Sequence, residues 1–248
     1  LFKLFAATQR YGYTRADHII TISEDMKDTL VNDGIEADKI EVIYNWSYRD
    51  EPYDNLDVSP VSHMFSKDYF NVVYAGNIGV MQNVDILVDA ARLMKDDKTV
   101  WFHIIGNGVY KEKLEARANG FNITNISFWP MQTPELAPAI YKSADVNVIP
   151  LVKDIYRAAL PSHTATCLEC QKPIIFAIGK DSKFGQKVMK EAGCAAVESD
   201  RPEELVNAIC ETRNSRNANN EGEFFTQYCG KTVNSKLYAE IITGSVIK

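Results

Sequence analysis

Residues 71–106 read NVVYAGNIGVMQNVDILVDAARLMKDDKTVWFHIIG, and this stretch decides the fold class. An apolar run of strand length (NVVYAG, 71–76) ends in a glycine turn, a helical period follows over 83–95, and a second apolar run (VWFHIIG, 100–106) ends in another glycine. Two such runs joined by a helix are expected to lie parallel, each buried on both faces, because polar residues do not alternate along them. The same rhythm continues downstream. A helix over 110–119 leads to NISFW (125–129), a helix after Thr133-Pro134 to DVNVIP (145–150), a helix after Pro161-Ser162 to KPIIFAIG (172–179), and a helix over 183–191 to GCAAV (193–197). This predicts an α/β fold with a doubly wound parallel sheet of Rossmann type, whose ligand lies outside the carboxyl ends of the strands where strand order reverses.

Upstream, HIITI (18–22), a helix capped by Ser23 and stopped at Gly34, and KIEVIYN (39–45) form one strand–helix–strand unit. Residues 46–70 lose periodicity and collect Pro52 and Pro60, as a connector or long surface loop does. At the far end, GEFFTQYCG (222–230) and SKLYAEIITGSVIK (235–248) can form amphipathic helices that pack on the sheet domain or reach back to the first unit. The chain thus divides into residues 1–50, a connector at 51–70, a nucleotide-binding type of domain at 71–212 and terminal helices at 213–248.

Composition bounds the function. The 248 residues are 46% apolar and 24% charged, enough to bury a core without covalent staples. Five cysteines, odd in number and unevenly spaced, do not make a disulfide scaffold and suit a reducing, cytoplasmic setting. A net charge of −6 argues against a long nucleic acid as partner. No apolar run approaches the roughly 20 residues that a bilayer-spanning helix needs. The opening LFKLFAATQRYGY (1–13) is apolar, aromatic and weakly basic, and reads as the continuation of something that precedes it.

Three places could hold a ligand. Gly76-Asn77-Ile78-Gly79 links the first strand of the domain to its helix, where glycines let a backbone approach an anion; it lacks the G-x-G-x-x-G fingerprint of dinucleotide binding. Gly106-Asn107-Gly108 ends the second strand as a tight turn that structure alone can require, or that touches a base or sugar. In AALPSHTATCLECQKPIIFAIG (158–179), Ser162 can cap the next helix, so that its first N–H groups, the hydroxyls of Ser162 and Thr164, and His163 face a phosphate. Cys167 and Cys170 form a single C-x-x-C without a second pair to complete a zinc site, and read as buried helix residues. His103, inside an apolar strand, reads as core. No Walker lysine, nucleophile elbow or paired metal-binding histidines occur, so hydrolase, metalloenzyme and P-loop readings are weak.

Taken together, ADHIITISEDMKDTLVNDGIEADKIEVIYN, YAGNIGVMQNVDILVDAARLM, HIIGNGVYKEKLE, NISFWPMQTPELAPAIYKSADVNVIPL and LPSHTATCLECQKPIIFAIG resemble, from about residue 14 to 212, the family-four retaining glycosyltransferases of the GT-B fold, especially the bacterial branch that builds surface polysaccharide. The resemblance implies two Rossmann-like domains facing each other across a cleft, the C-terminal one holding a nucleotide-sugar donor, most often a UDP-sugar. Residues 1–50 are then the tail of an acceptor domain that is mostly missing, so that this piece alone has little or no transfer activity. It also implies a glycan or lipid-linked acceptor, a partner subunit, peripheral contact with the inner face of the membrane, and neither metal nor cofactor.

Residue by residue, Gly76 and Gly79 match the glycine turn beneath the donor phosphates. Asn77 and Gln82 stand where many members carry Arg and Lys. Gly106, Asn107 and Gly108 match the turn near the base, and Pro161-Ser162 match the P-S-K block with His163 in place of lysine. The two glutamates of the E-x7-E motif, which address donor sugar and ribose, fall on Ala158 and Thr166. The usual glycine before Lys172-Pro173 is Gln171. Glu169, one turn beyond Thr166, is too far along the helix to substitute. These departures leave three readings: an altered donor, a weakened enzyme, or a non-catalytic α/β module that binds a nucleotide or a partner glycosyltransferase. An NAD-dependent enzyme would need the missing fingerprint and an acid on the ribose.

Overall fold

The computed structural model describes residues 2–215 and 220–244, with side chains from residue 8 onward. Its centre is a six-stranded, all-parallel sheet of β3 (Phe70–Ala75), β4 (Val100–Ile105), β5 (Ile126–Trp129), β6 (Val146–Pro150), β7 (Ile174–Ala177) and β8 (Ala195–Val197), in the spatial order β5-β4-β3-β6-β7-β8. Numbered within the domain this is 3-2-1-4-5-6, the dinucleotide-fold order, with its reversal between β3 and β6. A separate pair, β1 (Ile19–Thr21) and β2 (Ile40–Val42), runs parallel in its own sheet.

The central strands are buried throughout, as runs of Val, Ile, Phe and Ala without polar alternation require. Helices cover both faces. On one side α3 (Asp85–Leu93), α4 (Lys111–Gly120) and α8 (Pro202–Asn214) close a core built on Val72, Tyr74, Phe102 and Ile104. On the other, α5 (Ala137–Ser143), α6 (Thr164–Glu169), α7 (Lys183–Ala192) and α9 (Glu221–Tyr228) close a core around Ile149, Phe176, Phe184 and Phe225. The predicted elements 83–95, 110–119 and 183–191 are realised as α3, α4 and α7.

The connector is not a free surface loop. Pro60 opens a 3-10 turn, Ser59–Met64, that buries Val61 and Met64 against the second core. The first unit, α1 (Phe2–Arg15), β1, α2 (Glu24–Asn32) and β2, is fastened to the sheet domain by side chains. Asp25 of α2 accepts from Ser182 Oγ (2.9 Å) and from the main-chain N–H groups of Lys183 (2.8 Å) and Phe184 (3.0 Å), so a carboxylate from one unit caps a helix of the other. Behind it, α10 (Lys231–Thr243) packs on the segment after β2: Trp46 lies against Tyr238, and Asp50 accepts from the N–H and hydroxyl of Thr232. The apolar opening expected to meet a membrane falls partly on residues 1–7, and the expected final helix runs on to 248; side chains 1–7 and residues 245–248 lie outside the described part. Among the described residues no helix is long and apolar enough to cross a membrane.

Candidate functional site

The sheet itself opens the site. β3 and β6 pair only through Val72–Val146 and Val73–Asn147, so beyond Val73 the two strands part company. The crevice they leave at their carboxyl ends holds a cavity of about 540 Å³. Its floor is Tyr74 to Asn77 from β3 and Pro150-Leu151 from β6; one wall is α5 with Met131 to Pro134, the other Ala159 to His163. This is the place a doubly wound sheet reserves for a ligand. Among the described residues that line it, none is Lys, Arg, Asp or Glu.

Six of the expected site residues meet here: Gly76, Asn77, Gln82, Pro161, Ser162 and His163. The others stand apart. Gly79 lies behind the turn, its N–H held by Gln82 Oε1 at 3.1 Å. Gly106 and Gly108 lie beneath the Gly76 loop as its support. A Cβ on Gly106 would stand 1.9 Å from the carbonyl oxygen of Gly76, and one on Gly108 would stand 2.1 Å from that of Ile78. The turns interlock further through Ile78 N–H to Asn107 O (2.9 Å) and Tyr110 N–H to Ile78 O (3.1 Å). Close backbone approach thus accounts for both glycines.

The turn before α6 corrects one expectation. Ser162 does not cap the helix: the N-cap position is His163, in a helical conformation and without a side-chain cap, because Thr164 N–H already bonds Pro161 O at 3.1 Å. Ser162 is left exposed, while Thr164 is buried and Thr166 is not among the residues that line the cavity. The helix has six residues and turns its other face inward, where Cys167 and Cys170 are free, buried thiols. Burial pushes the Cys170 thiol up to about 12, which makes a reactive thiolate unavailable.

Glu169 does not replace the missing acids. It is 2% exposed and points to the segment after β2, accepting from Ser47 Oγ (2.8 Å) and pairing with Arg49 Nε at 3.1 Å. Burial raises its pKa, the Ser47 bond and the Arg49 charge opposing the rise. Gln171, standing where glycine is usual, adopts φ 52°, a left-handed conformation that explains the family's glycine, and its amide reaches Tyr53 O at 3.3 Å. His103 is a core residue: Trp129 Nε1 donates to its Nδ1 (3.3 Å), so its Nε2 carries the proton toward Asn71 Oδ1 at 3.1 Å.

Sequence reasoning missed the aromatic frame. His163 is half-buried, its ring nearly parallel to that of Tyr141 and perpendicular to that of Tyr74, and burial lowers its pKa to about 4, so the imidazole is neutral at pH 7. Tyr74 OH donates to Asn77 O, and Tyr141 OH to Ala75 O at 2.8 Å. The only trace of this frame in the sequence is a tyrosine inside an apolar strand and another inside a helix, a pattern that core packing also produces. Among the described residues no cluster of three His, Cys, Asp or Glu could hold a metal ion.

Residues 69–214, more than half of the chain, match the family described as glycosyl transferases group 1. The chain belongs to the group 1 glycosyl transferases. Residues 1–46 match a second description, glycosyltransferase family 4. Among known proteins, this group 1 glycosyl transferase is 27% identical over 212 residues to WcaI of Escherichia coli (strain K12), named for glycosyl transfer in colanic acid biosynthesis, covering 84% of this chain and 52% of WcaI. It is 20% identical over 221 residues to WbjE of Pseudomonas aeruginosa, named as a glycosyltransferase, covering 85% of this chain and 54% of WbjE. The chain therefore spans about half the length of these curated relatives.

Among solved structures, HepE of Anabaena with UDP and glucose superposes with a TM-score of 0.80 at 16% identity, over 96% of this chain and 67% of HepE. Sucrose-phosphate synthase of Thermosynechococcus elongatus superposes with a TM-score of 0.77 at 18% identity, over 96% of this chain and 61% of the synthase. At such identities the likeness concerns the fold, which is the Rossmann-like domain of a GT-B glycosyltransferase.

Proposed function

We propose that this chain carries the donor half of a retaining glycosyltransferase, which moves a sugar from a UDP-sugar to a lipid-linked or polysaccharide acceptor on the cytoplasmic side of a membrane. The observation that carries the reading is the cavity between the diverging ends of β3 and β6, walled by the Gly76 loop and the Pro161–His163 turn. A nucleotide-sugar fits its chemistry: apolar and aromatic surface takes a base and a sugar face, and main-chain and neutral donors meet the diphosphate between them. Charge that develops on the departing diphosphate is stabilised by fixed dipoles already aimed at it, which need no reorganisation as the bond breaks. HepE, solved with UDP and glucose, supports the donor class, and WcaI the polysaccharide setting.

Titration calorimetry of the chain with UDP, GDP, UDP-N-acetylglucosamine and NAD tests the reading. Binding of UDP and its sugar conjugate, with NAD inert, is the expected result; heat from none of the four overturns it. Replacing Ser162 and His163 by alanine should weaken UDP binding, and unchanged affinity would remove the turn from the site.

Ala158 and Thr166 in place of two carboxylates, together with the charge-free lining, favour a second reading: a nucleotide- or partner-binding module without transfer activity. Sugar transfer or donor hydrolysis by the full-length protein would exclude it.

A further inference from the structure

The Gly76 loop offers four main-chain N–H groups, and three of them are spent inside the protein. Gly76 N–H bonds Ile105 O at 3.0 Å, Ile78 N–H bonds Asn107 O at 2.9 Å, and Gly79 N–H bonds Gln82 Oε1 at 3.1 Å. The fourth belongs to Asn77. A trans peptide points its C=O and N–H in opposite directions. The carbonyl of Gly76 faces Gly106, so closely that a Cβ there would stand 1.9 Å away. The N–H of Asn77, on the same peptide plane, therefore points away from Gly106, toward the side where Gly76 and Asn77 line the cavity and Gly106 does not.

The peptides on either side of this one are pinned by tyrosines. Tyr141 OH holds Ala75 O at 2.8 Å and Tyr74 OH holds Asn77 O, both from buried rings, so the flanking planes cannot rotate without leaving a carbonyl unpaired. We infer that the Asn77 main-chain N–H is the loop's one main-chain donor to the ligand's anionic group, and that Tyr74 and Tyr141 are positioning residues that aim it. This rests on the nucleotide reading above and narrows it. The loop is a single aimed donor in place of a glycine nest, so the two glycines serve packing and the two phenols serve geometry.

The test separates phosphate recognition from shape. UDP and uridine are titrated against the wild-type chain, Tyr74→Phe and Tyr141→Phe. Each variant should lose about five- to tenfold in UDP affinity, part of the value of one hydrogen bond to a charged group that is still present but less well aimed, while uridine binding stays within about twofold. Equal losses for both ligands would make the tyrosines mere shape and overturn the inference. A second measurement needs no variant of either tyrosine. The sequence holds two Gly–Asn steps, 76–77 and 106–107, so labelling glycine carbonyls with 13C and asparagine amides with 15N reports on Asn77 and Asn107 alone, and Asn107→Gln tells them apart. UDP should shift the Asn77 amide strongly and uridine should not. If UDP binds and that amide stays in place, the inference falls while the nucleotide reading stands. If the wild-type chain binds neither UDP nor uridine, the nucleotide reading falls and takes the inference with it.

Discussion

The cavity and the seam that holds the first unit to the sheet solve opposite problems with different residue types. Around the cavity no side chain among the described residues that line it is charged, and tyrosine, histidine and main-chain groups do the polar work. At the seam two nearly buried carboxylates bridge units far apart in sequence: Asp25 takes three hydrogen-bond donors, and Glu169 takes the Ser47 hydroxyl and the Arg49 charge. A buried carboxylate is tolerated only where N–H, hydroxyl or guanidinium groups converge on it. The seam supplies that convergence in full for Asp25 and in part for Glu169, whose pKa burial raises. Ala158 and Thr166 stand where the family resemblance leads one to expect acids on the donor sugar and ribose, so no carboxylate is added there either. The difference teaches that buried carboxyl groups in this chain fasten units together, while the proposed ligand site relies on aimed dipoles.

The contrast can be broken most severely from below the cavity. Gly108→Ala would drive a Cβ into the Ile78 carbonyl, a main-chain group that cannot swing aside, and should cost on the order of 3 kcal/mol or more in thermal or denaturant unfolding. At the seam, Asp25→Ala leaves the Lys183 and Phe184 N–H groups and the Ser182 hydroxyl without their acceptor; equilibrium denaturation should show a loss of about 2–3 kcal/mol with the fold retained.

Acid and base should then pull the two regions apart. His163 has a depressed pKa, so its contribution is full above its ordinary value of 6.5 and is lost as pH falls toward about 4. Glu169 has a raised pKa, so its contribution is full below its ordinary value of 4.5 and is lost as pH rises through the raised value. His163→Gln should flatten the stability profile between pH 6.5 and 4, by on the order of 2 kcal/mol, and Glu169→Gln should flatten it above pH 4.5. Melts across that range in the two variants read both limbs, and identical profiles would erase the distinction.

The smallest effect sharpens the contrast. With no cation in the lining, UDP affinity should change less than about threefold between 0.05 and 0.5 M salt. Ser162→Lys, at an exposed position on the wall, should raise affinity a few-fold at low salt and lose that gain at high salt. A steep salt dependence in the wild-type chain would reveal a cation from elsewhere.

The sheet was legible because its signal is local. NVVYAG, DVNVIP and KPIIFAIG are short, apolar, glycine- or proline-bounded runs, and they stand as β3, β6 and β7 within two residues at each end. The Gly76 and Pro161 neighbourhoods were legible as parts of one site because fold topology places them. The details were decided by contacts that no spacing encodes. Ser162 loses its cap because Pro161 offers a carbonyl first, Glu169 turns to Ser47 and Arg49 more than a hundred positions away, and Tyr141 meets the Gly76 loop only after α5 docks. Gln171 is the reverse case: the sequence showed only that it replaces a usual glycine, and its left-handed φ of 52° supplies the physical reason for that glycine.

The narrow pairing between β3 and β6 also bears on how the molecule comes into being. Asn71 and Asp145, whose bond flanks that pairing, lie 74 positions apart, with β4, α4 and β5 made between them. Closing so long a loop is slow relative to forming the local crossovers on either side, so the two halves of the sheet meet late. The cavity exists only after that meeting. A molecule that occupies it binds the finished chain and not its precursors, and by mass action holds the halves together, adding about 2.7 kcal/mol at a hundred times its dissociation constant. Supply of the ligand would then set the lifetime of the protein as well as its work.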